Sequence, residues 1–265
     1  MQFSVANRVE YAFLQNAPRV EIEDGKYLVR FARTLEEIEA ALKLRFEVFN
    51  LELGEGLASS FQTGRDRDQF DATCHHLIVL DKDTDSVVGT YRLQTIEMVG
   101  SAERFYSSGE FDLTCLPREV LAESVELGRA CIALKHRNRQ VLFLLWKGLA
   151  MYLISSRKRF LFGCCSLTSQ NQNDGRRMLD YLTEQGHMHP TFFVPPIPGY
   201  ECDAPATDFN SEVVKVPRLF DSYLRIGAKV CGPPAIDRLF KTIDFLVILD
   251  SQNIDARTRR MFLGQ

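Results

Sequence analysis

Apolar residues recur at three- and four-residue spacing through Leu35, Ile38, Leu42, Phe46 and Phe49, which predicts a helix with one buried face. Thr34 at its head and Glu37 three residues on form a capping box. The period then changes. Residues 76–80 are a short apolar run, residues 81–86 are polar turn formers, and residues 87–94 return as a strand, so a β-hairpin is expected. Residues 123–132 form a mostly apolar strand that carries Glu123, Glu126 and Arg129. Residues 139–156 show an inner stripe of Val141, Leu144, Leu145, Gly148, Leu149 and Tyr152, the mark of a long helix. Residues 160–166 are a continuous apolar run that fits a central buried strand. A helix over 174–185 stops at Gly186, Pro217 opens another, residues 242–250 are a strand, and residues 255–262 are a short basic helix. Residues 53–67 are expected to be a mobile loop, and residues 187–210, rich in Pro and Gly, a long loop of lid type. No internal repeat and no composition break divides the chain, so it reads as one α/β domain of mixed strand order.

Composition narrows the class. A hydrophobic share of 45% with 25% charged residues is globular, and a net charge of −3 argues against a general nucleic-acid binder. None of the seven cysteines has C-x-x-C spacing, and four lie in apolar strand-like runs, which points to free thiols in a reducing cytoplasm. The greasiest run, residues 141–154, is shorter than a membrane span and is interrupted by Lys147 and Gly148. Peripheral membrane contact stays open. His75 and His76 point opposite ways in a strand, so no shared metal is expected there.

The chemistry gathers around residues 123–139. A strand, a basic loop with Lys135, Arg137 and Arg139, and a helix N-terminus together suit a phosphate, such as that of a phosphopantetheine arm; a solvated loop explains the same charges. Glu126 is a candidate general base for deprotonating an amine nucleophile. Glu126 and Arg129 are three apart, so a regular strand sends them to opposite faces and a shared site requires a bulge near Gly128. The alternative is a pair of structural ion pairs. Arg45, on or beside the buried face of the first helix, needs an anionic partner, and Asp68 and Asp71 in the acidic stretch 66–71 are candidates to hold it or a substrate amine. Arg92 shares a polar strand face with Thr90 and Gln94.

Five local patterns resemble the acyl-carrier-protein-dependent branch of the GNAT acyltransferases: Arg45-Phe46-Glu47-Val48-Phe49, Asp68-Gln69-Phe70-Asp71, Gly89-Thr90-Tyr91-Arg92-Leu93, Glu126-Leu127-Gly128-Arg129, and the block from Tyr223-Leu224-Arg225-Ile226-Gly227-Ala228 to Thr242-Ile243-Asp244. The first four are similar to the charged set of acyl-homoserine-lactone synthases, and the last to ornithine-lipid N-acyltransferases. The resemblance covers residues 29–265, leaving 1–28 as an N-terminal extension. It implies a GNAT fold, a mixed twisted sheet splayed at its central strands with helices on both faces. It implies an N-acyltransferase that moves a 3-hydroxy fatty acyl chain from acyl carrier protein to the α-amine of ornithine, giving lyso-ornithine lipid. Another amine acceptor, as in N-acyl amino acid synthases, and an acetyl-coenzyme A enzyme are the alternatives; a binding module that kept the fold is a third. Carried over by position, Glu126, Arg129 and Arg92 are the catalytic candidates, and Arg45, Phe49, Asp68, Asp71 and Phe105 the substrate-binding ones. Lys135, Arg137 and Arg139 would meet the phosphopantetheine arm or the carrier protein, with Arg157-Lys158-Arg159 as a second docking point. A bulge in residues 123–132 would aim a backbone N–H at the thioester carbonyl. Residues 105–111 and 141–154 would line an acyl tunnel. One departure matters: the place of the Gly-rich pyrophosphate turn reads Arg137-Asn138-Arg139-Gln140-Val141, without glycine, which favours a carrier-protein donor over coenzyme A. No tightly bound cofactor or metal is implied, and the protein is expected in the cytoplasm, with the inner membrane face as a place of contact.

Overall fold

A computed structural model of the chain describes residues 16–202 and 215–263. Its strands are Glu21–Asp24 (β1), Tyr27–Phe31 (β2), His75–Asp81 (β3), Ser86–Thr95 (β4), Ser124–Ile132 (β5), Phe160–Leu167 (β6), Lys229–Val230 (β7), Ala235–Asp237 (β8) and Thr242–Asp250 (β9). The helices are Leu35–Arg45 (α1), Ser60–Thr63 (α2), Ile96–Val99 (α3), Arg118–Ala122 (α4), Arg139–Ser156 (α5), Gln172–Glu184 (α6), Arg218–Arg225 (α7) and Ala256–Leu263 (α8). All strands join one sheet in the order β1-β2-β3-β4-β5-β6-β9-β7, with β8 paired beside β7 on β9.

Alternation along β3 shows how the layers are built. Leu77 and Val79 enter the core under α5, while Ile78 and Leu80 face the other way and pack with Ile38 and Leu42 of α1. Helices therefore cover both faces. Thr34 caps α1 as its sequence predicts, accepting the Glu37 N–H, although Leu35 is left exposed. Beyond Arg45 the helix widens into a π-helical turn over Phe46–Glu52, which still buries Phe49.

The sheet is antiparallel throughout except where β5 meets β6. That parallel ladder is short. It runs only from Ser124↔Phe160 to Glu126↔Phe162, and beyond it the strands part. α5 supplies the crossover that a parallel pair requires. At the point of parting a Cβ on Gly163 would lie 2.2 Å from the Leu127 carbonyl oxygen, so only glycine lets β6 come this close before the strands separate.

Two expectations change. β1 and β2 lie in the sheet, so the folded domain begins before residue 29 and inside the stretch expected to be an extension. Residues 187–202 are also no free lid. Isolated bridges tie Met188 to Val230, Pro196 to Phe111 and Glu201 to Ala235, and Val194 is wholly buried. The rest of that loop, 203–210, lies outside the described residues.

Candidate active site

β5 is bulged. Thr90 pairs with Cys131 and Arg92 with Gly128, so two steps along β4 face three along β5. The extra residue falls at Arg129, whose φ of 50° is left-handed. A non-glycine residue there is strained and must be held by its surroundings. Asp66 Oδ2 accepts from Arg129 Nε at 3.2 Å, and Asp68 Oδ2 accepts from Nη2 at 3.1 Å. The guanidinium also lies over the Phe240 ring at 4.2 Å and the Tyr106 ring at 4.9 Å.

Those aspartates belong to a larger set. Arg45, wholly buried, donates from Nε to Asp66 at 2.7 Å and from Nη1 to Asp71 at 2.6 Å. Arg92 donates from Nη1 to Asp68 at 2.6 Å and to Asp71 at 3.1 Å. Three arginines thus meet three aspartates with no net charge. Burial pushes the Asp71 carboxyl up, but Arg45 and Arg92 outweigh it and leave it far below the usual carboxylate range. Asp68 is lowered as well, by Arg92 and Arg129 against the same cost of burial.

This network corrects several expectations. Arg45, Asp68, Asp71 and Arg92 come together, but they pair within the network and do not line the main cavity. Arg129 alone of the set reaches it. Asp66, which no sequence motif singled out, is the aspartate shared by Arg45 and Arg129. Burial also holds His76 neutral, its pKa lowered to about 4, and its Nε2 contacts the Asp71 carbonyl.

Glu126 sits elsewhere. Its carboxylate accepts the Tyr106 N–H at 2.9 Å, the Ser107 N–H at 2.7 Å and a close amide N–H from Gln94. It faces a small side cavity with Cys74, Arg92 and Gln94. A carboxylate so fully engaged has little left to offer as a general base. Its geometry is that of an anchor holding Tyr106 against Arg129.

The main cavity, about 360 Å³, opens where β5 and β6 part. Gly128, Arg129 and Ala130 of the bulge form one wall and Gly163 to Ser166 of β6 the other. On the α5 side it is apolar, lined by Trp146, Leu149, Ala150 and Leu153 of α5, Phe220 and Tyr223 of α7, and Phe262 of α8. The Tyr91 and Tyr223 hydroxyls are bonded to each other, and Trp146 stacks on Tyr223. On the other side stand Tyr106, Glu55, Thr168 and Asp244. Phe49 lines the cavity. Phe105 does not; it is buried in the core edge-on to Phe162, and Phe111 packs in the same cluster. Of the expected tunnel wall at 105–111 Tyr106 lines the cavity, and α7 and α8 complete its apolar side.

The acidic end of the cavity was not foreseen. Burial raises the Glu55 carboxyl, which accepts a hydrogen bond from Thr168. Burial raises Glu110 and Asp244 too, and the charge of Asp244 raises Glu110 further. The available signal was an acid at an inward position of the apolar strand 242–250.

The basic run is partly committed. Arg137 clasps Glu52 with both terminal nitrogens, and Asn138 caps α5 by accepting the Val141 N–H at 2.9 Å. Lys135 and Arg139 are exposed, and none of the three basic residues lines the cavity. Arg159 and Lys158 pair with Asp250 and Glu97 at the far end of α5, about 27 Å away for 18 helical residues. The two runs cannot meet one phosphate. Among the described residues no helix is long and apolar enough to cross a membrane.

A mixed sheet splayed beside a bulged strand, with an apolar-to-acidic cleft at the splay, defines an acyltransferase of the GNAT class. Residues 44–147 match the model of an acetyltransferase (GNAT) domain. The chain belongs to the L-ornithine N(alpha)-acyltransferase family. It is 32% identical over 253 residues to the member from Agrobacterium fabrum, covering 91% of this chain and 86% of that one. To the member from Rhodobacter capsulatus it is 30% identical over 246 residues, covering 89% and 94%. Among solved structures, the AHL synthase LasI covers 91% of this chain and 96% of its own at TM-score 0.49 and 12% identity, too distant a likeness to carry site residues across.

Proposed function

We propose that this protein transfers a fatty acyl chain, of the 3-hydroxylated class, from a phosphopantetheine thioester to the α-amine of ornithine, giving lyso-ornithine lipid. The observation that carries this reading is the polarity of the cleft. It runs from the apolar wall of α5, α7 and α8, past the bulge of β5, to Glu55 and Asp244. A long acyl chain suits the first end and a cationic acceptor the last. The names of the relatives in Agrobacterium fabrum and Rhodobacter capsulatus supply the acceptor.

In this reaction the neutral α-amine attacks the thioester carbonyl carbon. A C–N bond forms, the C–S bond breaks, and the pantetheine thiol leaves with a proton. Backbone N–H groups on the open edge of the bulge, Gly128 to Ala130, stabilise the developing oxyanion. Arg129 is the charged side chain of the bulge that reaches the cleft, and Glu126 positions Tyr106 beside it. Asp66 and Asp68 hold Arg129 in place.

Acyl carrier protein is the proposed donor. The loop before α5 has no glycine turn for a pyrophosphate, Asn138 already caps the helix, and Arg137 is held by Glu52. Exposed Lys135 and Arg139 suit the acidic surface of a carrier. A cytoplasmic protein touching the inner membrane face would release such a product where it is needed. The donor is tested by supplying ornithine with one 3-hydroxyacyl group on acyl carrier protein or on coenzyme A. A higher kcat/KM with the carrier is expected, and a clear preference for coenzyme A would overturn this choice.

A further inference from the structure

Asp244 and Ser166 face each other across β9 and β6, on the sheet face away from α7. Asp244 is only 2% exposed and lines the cleft, and its Oδ1 receives no hydrogen bond from any described residue. Such an orphan acceptor is costly unless something enters to meet it. Glu110, 4% exposed, stands beside it, and Cys164 points into the same place. One ligand atom from each of the three lies within 4.8 Å of the others. The nearest arginine of the cleft, Arg129, is already matched by Asp66 and Asp68.

We propose that Glu110 and Asp244 form the subsite for the second, side-chain ammonium of the acceptor, so that they select a diamino acid over its monoamino analogues. The inference rests on the acyltransferase reading above. β9 lies beyond β6 from the bulge of β5, and the three methylenes of ornithine carry its side-chain ammonium toward that side from an α-amine held in the cleft. An ammonium brings three donors and one positive charge to a pair of carboxyls whose charge burial disfavours. A divalent metal would need every ligand deprotonated, including Cys164, whose thiol burial pushes far up.

The test compares ornithine with 2-aminopentanoate, which has the same chain and no side-chain amine. Wild-type protein should favour ornithine in kcat/KM on the order of a hundredfold or more, because a site built to bond an amine rejects the analogue that lacks it. Asp244→Asn and Glu110→Gln should each lower kcat/KM for ornithine at least about thirtyfold. Each should lower 2-aminopentanoate less than ornithine, so that the ratio of the two kcat/KM values falls at least about tenfold. An equal loss on both substrates, or an unchanged preference for ornithine, overturns the assignment. Calorimetry on wild-type protein in buffers of different ionisation enthalpy needs no variant. Ornithine should release more protons on binding than 2-aminopentanoate, and equal release counts against the subsite. If wild-type protein acylates ornithine and the variants keep the preference, only this proposal falls. If wild-type protein acylates neither amino acid, the reading beneath it falls as well.

Discussion

Asp66 accepts the Nε–H of Arg129 at 3.2 Å while Arg129 stands in a left-handed backbone conformation. The same carboxylate oxygen accepts Arg45 Nε from α1. One buried acid therefore links the first helix to the bulge that shapes the cleft. Removing its charge by Asp66→Asn leaves two buried guanidiniums short of a partner. A loss of about 3–5 kcal/mol is expected, read from denaturant unfolding, and an unchanged midpoint would show that the network is slack.

The network also makes a prediction for acid. The folded pKa of Asp71 lies below its ordinary 3.8. A depressed carboxyl contributes stability that is fully present above the unfolded value and is lost as pH falls through the folded one. The Asp71 contribution should thus hold from neutral pH to about pH 5 and then fall. Asp71→Asn should be less stable at pH 7 yet show a shallower acid slope. Equal slopes for the two proteins would remove Asp71 from the acid response.

Gly163 sits where β5 and β6 begin to part, and an added Cβ would strike the Leu127 carbonyl oxygen. Gly163→Ala must push the strands apart or unseat the bulge. A cost of at least about 1–3 kcal/mol is expected, together with a fall in acyl transfer. A variant as stable and active as wild type would show that the splay does not depend on this contact.

Ala150 lies on α5 at the apolar wall of the cleft. Ala150→Phe should shorten the acyl chain that the protein accepts, seen as a shift in the optimum across a series of acyl donors. A uniform fall in rate at every length would place the chain elsewhere.

Much of this was written in the local pattern. The capped first helix, the hairpin, the strand of residues 124–132 and the helix after it follow from periodicity and capping, which act over a few residues. The bulge was legible as a requirement, since only an extra residue could reconcile Glu126 with Arg129. What stayed hidden depends on contacts between distant segments. Asp66 resembles its neighbour Asp68 until α1 and β5 close on it. Glu126 reads as a base until residues 106–107 turn their N–H groups onto it. Glu110 and Asp244 are 134 positions apart in sequence and meet only because β9 returns to pair with β6.

The central claim is the acylation of ornithine at its α-amine. Purified protein, 3-hydroxyacyl carrier protein and ornithine labelled with ¹⁵N at the α position should yield acylated ornithine with the label in the amide, identified by tandem mass spectrometry. Free carrier thiol without acylated ornithine, or an acyl group on the unlabelled side-chain nitrogen, would contradict it.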